Sequence, residues 1–459
     1  MRRAEFGILI VLCALGIAAR ASLRPWVFGG SDSYQYLKLS DELREHGRYA
    51  LGPAPEPLHF GRPPLYPLFL VAAKGSARAD QRGGEGWARI EFVQVGIDVL
   101  LALALFAIAR RAGGRRAAWI ALVLWLASPF SIVFSMSVLA ETLGAALTVA
   151  ALAPLLLLRD ERAARAFALA GAGVALATLL RPDGLLLGAA FLPALWRFDW
   201  RRRARLAAFA AAAFLIVFSP WPIRNLVQFG RAYPLGTRVD RHGTPVVHHA
   251  GLARFIASWD TSSYGNGLPT TCLHTPDCRA SIALLQHDRA KPIESPAEQA
   301  EVERLFALRD KEGMSAAVDA GFDALASARL RRHPLEVLLL LPIERSVKMW
   351  TGHMLDEVMA NPPRPIVPFK NWLDPLQLMF GLLMVVGGAL AVRDERLRHF
   401  GWTALAVVAA RTAVLGFTAI CTPRYTFEAM PLAILLIAAG ATCLRRPSRR
   451  SPAPAAPLS

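Results

Sequence analysis

The chain has 459 residues, 54% of them hydrophobic, and a mean hydropathy of +0.35. That is too apolar for a soluble globular protein of this size and points to an all-α, multi-pass membrane protein. Lys and Arg outnumber Asp and Glu by 52 to 35, a formal net charge of +17, but the arginines stand in short runs between apolar segments. They read as topology signals and partners for anionic lipid headgroups, not as a nucleic-acid surface.

The first apolar stretch, Phe6 to Leu23, lacks a small-residue cleavage site and is followed by others like it. It is expected to be a retained span, not a removed signal peptide. Next comes GGSDSYQYLKLSDELREHGRYA, residues 29–50. Ser31, Asp32 and Ser33 are all helix N-cap types, and Tyr36, Leu39 and Leu43 make one apolar face of a helix ending near Gly47. Asp32 therefore has two readings. It caps this helix, or it is a carboxylate at the water–lipid boundary that acts as general base toward a hydroxyl or amine. With an ordinary pKa of about 3.9 it would be ionised. The following RPPLYPLFLVAAKG, 62–75, is too short to span and is expected on the outer surface.

Candidate spans cover 5–23, 91–109, 116–135, 138–158, 165–180, 183–197, 204–221, 372–392, 400–418 and 425–444, about ten in all. The pair 165–180 and 183–197 is short enough for a tight hairpin or a re-entrant pair. Arginine-rich connections (ARRAGGRRAA, RDERAARA, WRFDWRRRARL, RDERLRH and LRRPSRR) are assigned to the cytoplasm. The alternate connections then face outward. This scheme requires that 333–350, with Glu344, Arg345 and Lys348, does not cross; it reads as an interfacial helix.

The expected organisation is an N-terminal transmembrane region 1–221 with its first outer loop at 24–90. An extracytoplasmic segment 222–371 follows, then C-terminal spans 372–444 and a disordered cytoplasmic tail 445–459. Within the outer segment, Ser295 and Glu298 form a capping box. The segment shows no legible core of its own and reads as a lid or a small α-rich appendage.

Polar residues collect in the outward loops: Asp32, Glu141, Arg181, Asp183, Arg224, Asn225, Arg424 and Tyr425. Any one of them alone reads as a headgroup anchor, a cap or a turn residue; gathered on one side they are functional candidates. Of five cysteines, Cys13 and Cys443 lie in spans as small apolar residues. Cys272 and Cys278, in CLHTPDC, face outward and are expected to form a disulfide. His248, His249 and His274 match no zinc spacing. No metal site or other cofactor is predicted; a divalent ion is possible in principle but has no signature. No nucleotide-binding signature is present either.

The order of motifs along the chain carries a resemblance. SDSYQYLKLSDELREHGRYA and HFGRPPLYPLFL are followed by SPFSIVFSMSVLAETL, GVALATLLRPDGLLL, PWPIRNLVQFGRAYPL and CTPRYTFEAMPLAILL. Together they resemble the C-type (GT-C fold) membrane glycosyltransferases, in particular the protein O-mannosyltransferases and the transferase that adds aminoarabinose to lipid A. The resemblance covers roughly residues 5–240 and 372–444. It implies a GT-C-like helical bundle with two outer juxtamembrane helices and inverting transfer of a sugar from a polyprenyl-phosphate donor. The catalytic aspartate of that family falls on Asp32. Where the mannosyltransferases have Asp-Glu, this chain has Asp32-Ser33; where the aminoarabinose transferase has an acidic residue and lysine, it has Gly61-Arg62.

The residues suit that chemistry. Breaking a sugar–phosphate bond leaves negative charge on phosphate, which arginine is built to hold. Arg424, Arg224 and Arg181, with Tyr425, are the candidate donor-phosphate residues, and Glu141, Tyr36, Arg62, Tyr66 and Asn225 are acceptor-side or supporting residues. A single displacement needs one base and no covalent intermediate. The expected partners are a polyprenyl-phosphate-linked sugar, an extracytoplasmic acceptor and the lipid bilayer. The expected location is a bacterial-type inner membrane, with the site on its outer face. A transporter or flippase for lipid-linked glycans would instead place ionisable groups near mid-bilayer in two repeats. A non-catalytic assembly subunit would tolerate loss of Asp32. The topology has a direct test: single cysteines introduced near residues 30, 225 and 423 should react with an impermeant thiol reagent from outside, and those near 113, 200 and 396 should not. Outside labelling at residue 200 would overturn the scheme.

Overall fold

The computed structural model describes residues 3–23, 31–49, 59–60, 62–77, 79, 84–229, 235, 237–238, 250–261, 292–352, 354–355, 367–418 and 422–444. The chain is an α-helical membrane protein. Five helices among these residues are long and apolar enough to cross a bilayer, or seven if each of two bent pairs counts as one span. That is fewer than the ten expected spans; the expected spans at 138–158 and 183–197 are met by apolar helices shorter than a span, Glu141–Leu156 and Pro182–Leu195. Cys272 and Cys278, and the tail 445–459, lie outside the described residues.

Helix α1 (Arg3–Leu23) turns Phe6, Ile8, Ile10, Val11, Leu15 and Ile17 outward, as a lipid-facing helix must. It leads to α2 (Ser31–His46) and α3 (Leu65–Lys74), the two short helices at one end of the bundle. α2 buries Tyr36 and Leu39, so its apolar face packs on protein. Tyr36 meets Tyr66 of α3 edge to face, with centroids 4.8 Å apart. The fully buried Lys74 of α3 pairs with Asp41 of α2, and Arg44 donates to Gly75 O at 2.8 Å, closing the C-terminus of α3. A two-residue antiparallel pairing of β1 (His59–Phe60) with β2 (Thr237–Arg238) ties the first loop to the segment after the seventh expected span. The sequence carried no signal for it.

The long helix α4 (Glu85–Gly113) is followed by α5 (Arg115–Leu126) and α6 (Pro129–Ser135). The last two form one expected span bent by 55°, because Pro129 cannot continue the hydrogen-bond ladder of α5. A broken helix in lipid must satisfy its freed carbonyls. Arg20, fully buried, donates to Leu126 O at 3.3 Å, and Ser131 Oγ donates to Trp125 O at 2.6 Å. The same guanidinium donates to Asp98 Oδ2 from Nε at 2.9 Å, and Trp125 Nε1 donates to the other oxygen at 3.0 Å. An ion pair in the membrane region is thereby fully hydrogen-bonded, and it holds α1, α4 and α5 together.

Helix α7 (Glu141–Leu156) has 16 residues, and α8 (Ala163–Leu180) is followed by a 3-10 stretch, Pro182–Ala190, and the short α9 (Phe191–Leu195). The expected span at 183–197 is therefore a short, tightly wound apolar element folded back along α8. α10 (Trp200–Phe218) and α11 (Pro220–Phe229) form the second bent pair, at 41°.

Outside the bundle, α12 (Ala250–Ala257), α13 (Pro296–Glu312) and α14 (Ala316–Arg332) bury Leu252, Phe255, Ile256, Trp259, Leu305, Phe306 and Phe322 together. The appendage thus has a small core of its own, which the scattered apolar residues of the sequence did not reveal. Ser295 caps the helix as expected, its Oγ accepting from Glu298 N at 3.2 Å, while the Glu298 carboxylate reaches back one residue further and accepts from Glu294 N at 3.3 Å.

A π turn (Glu336–Leu340) runs into α15 (Leu341–Thr351). Leu338, Leu339, Leu340, Ile343 and Val347 point outward. Trp350 Nε1 donates to Thr412 Oγ1 at 3.0 Å, while Gly352 closes on Pro423. Thr412 and Pro423 both lie near one end of their helices, and α15 packs against that end. The last helices are α16 (Val367–Arg393), α17 (Arg398–Gly416) and α18 (Met430–Cys443), the last preceded by a 3-10 turn, Pro423–Ala429. α16 and α18 approach backbone to backbone at Gly387 and Gly440, where a Cβ on Gly440 would meet Gly387 Cα at 2.4 Å.

Removing one member of the Arg20–Asp98 pair leaves a buried charge unmatched. Arg20→Met is expected to cost about 3–5 kcal/mol, and adding Asp98→Leu should restore most of it. Thermal unfolding of the two variants in detergent checks this; an Arg20→Met protein as stable as the wild type would show that the pair does not hold the break.

Candidate active site

At the end of the bundle that carries α2 and α3, each of several helices starts or stops with an ionisable residue. Asp32 opens α2, Arg62 precedes α3, Glu141 opens α7, Arg181 closes α8, and Arg424 stands in the 3-10 turn before α18. Local devices put them there. Gln94 of α4 donates to Ser135 O and Ser137 O at 3.3 and 2.6 Å and accepts from the Tyr66 hydroxyl at 2.7 Å. It therefore fixes the irregular backbone before Glu141 and joins it to α3. Arg411 donates to Tyr425 O at 3.0 Å and so sets the 3-10 turn.

The side chains meet in one network. Arg62 and Arg424 bind opposite oxygens of Asp32, the latter at 2.7 Å. Arg181 reaches Glu141 at 3.1 Å, Asp183 at 3.2 Å and Glu428 at 3.1 Å. Arg411 reaches Asp183 at 2.6 Å and Glu428 at 2.8 Å, and Arg424 lies 3.6 Å from Glu141. Four guanidiniums and four carboxylates thus alternate and cancel. Glu428 needs space beside α7, and Gly144 supplies it: a Cβ there would stand 2.7 Å from the carboxyl.

Beside the network lies a cavity of about 510 Å3. Arg62, Arg181, Asp183, Arg254, Arg424, Tyr36 and Tyr425 line it, with apolar walls from Leu180, Leu415 and Phe417. Its size and its mix of greasy walls and convergent charges suit a small amphiphilic ligand. Arg181 and Arg424 flank the Tyr425 ring at 4.7 and 5.6 Å, and Arg62 lies 5.2 Å from the Tyr36 ring. Burial pushes the Tyr36 phenol up to about 12, so it is neutral.

Asp32 is not in the cavity wall. It sits behind Arg62 and Arg424, with 18% of its side chain exposed. Burial pushes its carboxyl up, but the two guanidiniums push it down further, and it lies below the ordinary carboxylate range. No bond from it to a backbone N–H is found among the described residues. Its side chain is occupied by the two arginines.

Of the residues named from sequence, Asp32, Tyr36, Arg62, Glu141, Arg181, Arg424 and Tyr425 come together. Tyr66 lies under Tyr36, one layer back. Arg224 and Asn225 stand elsewhere: Arg224 donates to Asn225 at 3.0 Å and lies against Trp221 and Tyr49. Asp183, read as a turn residue, lines the cavity. Sequence reasoning missed Arg411 and Glu428, though an arginine and a glutamate inside apolar stretches were a usable signal. Nothing in the sequence marked Arg254, which reaches the cavity from the appendage. Among the described residues no three His, Cys, Asp or Glu side chains are grouped to hold a metal ion.

Residues 82–223 match the family model of dolichyl-phosphate-mannose-protein mannosyltransferases, a stretch that includes Glu141, Arg181 and Asp183 but not Asp32. Comparison with curated protein sequences finds no match. Among solved structures, the fold is similar to that of the Archaeoglobus fulgidus oligosaccharyltransferase tethered to an acceptor peptide, with a TM-score of 0.52 at 14% identity; the match covers 96% of this chain and 49% of that one. The chain therefore spans about half the length of the archaeal protein. ArnT from Cupriavidus metallidurans in the apo state aligns at a TM-score of 0.43 and 18% identity, over 91% of this chain and 78% of that one. The same protein bound to undecaprenyl phosphate aligns at 0.44 and 16%, over 90% and 78%. The chain is a multi-pass membrane protein whose fold is similar to that of the archaeal oligosaccharyltransferase, and its residues 82–223 match the model of dolichyl-phosphate-mannose-protein mannosyltransferases.

Proposed function

We propose that this protein is an integral-membrane glycosyltransferase. It moves a sugar from a polyprenyl-phosphate donor to an acceptor at the extracytoplasmic face of a bacterial-type inner membrane, with inversion and with Asp32 as general base. The observation that carries the reading is the seat of Asp32. It is held between Arg62 of the first loop and Arg424 at the start of the last helix, beside a cavity into which three further charged side chains, Arg181, Arg254 and Asp183, also face. The family name attached to residues 82–223 supports a lipid-phosphate donor of this kind.

The chemistry follows from charge. A polyprenyl-phosphate sugar is a phosphodiester with one negative charge. As the bond from the anomeric carbon to the phosphate oxygen breaks, polyprenyl phosphate leaves with a second. Arg424 and Arg181, fixed by their carboxylates, stabilise that added charge. The acceptor oxygen bonds to the anomeric carbon from the opposite face, and its proton passes to Asp32. Before donor binds, the network is neutral and Asp32 is committed to two guanidiniums. A phosphate in the cavity competes with Asp32 for Arg62 and Arg424. A guanidinium that turns toward it releases a carboxylate oxygen, and the loss of that positive charge raises the basicity of Asp32.

A second candidate base has an observation of its own: Asp183 lines the cavity directly, whereas Asp32 lies behind it. Glu141, 2% exposed beneath Arg181, is less accessible than either.

Asp32→Asn keeps the size of the side chain but cannot accept a proton at neutral pH. It should fold and insert normally, still bind donor, and lose transfer by about a hundredfold or more. Activity per folded molecule, measured on lipid-linked sugars extracted from a deletion strain, is the test. Near wild-type turnover would remove Asp32 as base and move the assignment to Asp183. Absence of transfer from any accumulated polyprenyl-linked sugar by the wild type would favour a transporter or an assembly subunit.

The pH profile gives a further check. The folded pKa of Asp32 is depressed, so its ion pairs persist at neutral pH and are lost only as pH falls through a value below about 3.9. Since kcat/KM reports the free enzyme, it should show no acid limb from Asp32 between about pH 7 and 5. A limb centred near 6 would assign the limiting base to another group.

A further inference from the structure

The connection from α9 to α10, with the first two turns of α10, concentrates charge and aromatic surface at the end of the bundle remote from Arg181. Gly171 of α8 lies against Ala210 of α10, where a Cβ would stand 2.1 Å from Ala210 O, and Arg202 donates to Asp160 O at 2.6 Å. The two helices therefore run parallel, with their N-termini together. Arg181 closes the other end of α8, whose 18 residues rise about 27 Å. From 196 to 205 stand five arginines, Arg197, Arg201, Arg202, Arg203 and Arg205, and one acidic residue, Asp199.

Three of these arginines are committed to the fold. Arg197 pairs with Asp160 at 3.2 Å. Arg202 also lies 4.5 Å from the Phe198 ring, and Arg203 donates to Phe198 O at 2.5 Å and Trp196 O at 3.1 Å. Arg201 and Arg205 are not committed: both are exposed, and neither makes an ion pair or a side-chain hydrogen bond among the described residues. They stand one turn apart on α10, where like charges repel. The same stripe continues through Phe209 and Ile216, both exposed, since positions 201, 205, 209 and 216 fall within about 80° of one helix face. The stripe is therefore charged at its start and apolar beyond. Trp196 and Trp200, 79% and 78% exposed, flank its charged end, as indoles do at headgroup depth.

We propose that this stripe binds one phospholipid of net negative charge, its phosphate between Arg201 and Arg205 and its acyl chains along Phe209 and Ile216. Charge complementarity and the order of the stripe choose this occupant. Two reachable guanidiniums followed by apolar side chains match a headgroup followed by hydrocarbon; a soluble anion would use only the first half. A zwitterionic lipid would bring its own cation in among five guanidiniums, so the headgroup must carry no ammonium. The bound phosphate offsets the repulsion between Arg201 and Arg205, and the lipid thereby stabilises the start of α10 beside α8. The site lies at the opposite end of α8 from the cavity beside Asp32 and does not depend on the proposed transferase reading.

The test uses the purified full chain in a neutral detergent, with thermal unfolding and native mass spectrometry as readouts. The probes are phosphatidylglycerol, phosphatidylcholine of the same acyl chains, and glycerol 3-phosphate. Phosphatidylglycerol should raise the unfolding temperature and persist as a one-lipid adduct; the other two should do neither. Arg201→Gln with Arg205→Gln should weaken phosphatidylglycerol binding about tenfold or more, through loss of two cations facing the headgroup. Phe209→Ala, which leaves every charge in place, should weaken it about threefold. Arg110→Gln with Arg111→Gln removes the same charge from exposed positions at the end of α4 and should leave binding as in the wild type. The proposal is overturned if phosphatidylglycerol neither stabilises nor persists, if phosphatidylcholine or glycerol 3-phosphate matches it, or if the two arginine pairs prove equally important.

Discussion

Charge balance in a poorly hydrated place is the constraint on which this structure turns. Asp32 and Arg424 are 392 residues apart in sequence and 2.7 Å apart in space. Around them the other guanidiniums and carboxylates are mostly buried, and none could stay ionised there without an opposite charge at contact distance. The first loop, the start of α7, the end of α8, α17 and the last 3-10 turn must therefore converge together. Each contributes one or two members of a set that is neutral only when complete. Among the described residues of this network every guanidinium has a carboxylate at contact distance.

The rest of the bundle serves that convergence by allowing irregular backbone where regular helices could not deliver the side chains. The break between α5 and α6 is tolerated because Arg20 and Ser131 take up the freed carbonyls. The run before Glu141 is tolerated because Gln94 holds two of its carbonyls. In lipid such devices are obligatory, since water cannot supply the missing bonds. They also explain why several expected spans came out bent or short.

The appendage adds a second layer of control. Its small core of aromatic and aliphatic side chains makes α12 a rigid plank, and Arg345 bolts the end of that plank to α15 and α17. One face of α12 then looks into the charged cavity. Arg254 enters the charged cavity from this plank, held from outside by Asp323.

What the sequence by itself determined was set by composition and local order. Apolar length marked the membrane segments, and the charges that interrupt the apolar run of 333–350 set that stretch apart from them. The cap at Ser295 and the apolar face of Tyr36 and Leu39 were equally legible, since both depend on neighbours a few residues away. The chain order of short motifs pointed to the fold and brought Asp32, Arg181 and Arg424 into view. Tertiary structure alone decided which of the outer charges meet. Arg224, like Arg424, lies in a helical stretch that opens with a proline, yet it packs on Trp221 and Tyr49 while Arg424 binds Asp32. Arg411 and Glu428 looked like stray charges in apolar stretches until α7, α8 and α17 were brought side by side, with Gly144 leaving room between them. The physical reason is range. Hydropathy and capping act within a few residues, whereas the pairing of a buried charge is settled by whichever opposite charge the packed helices deliver to within about 3 Å of it.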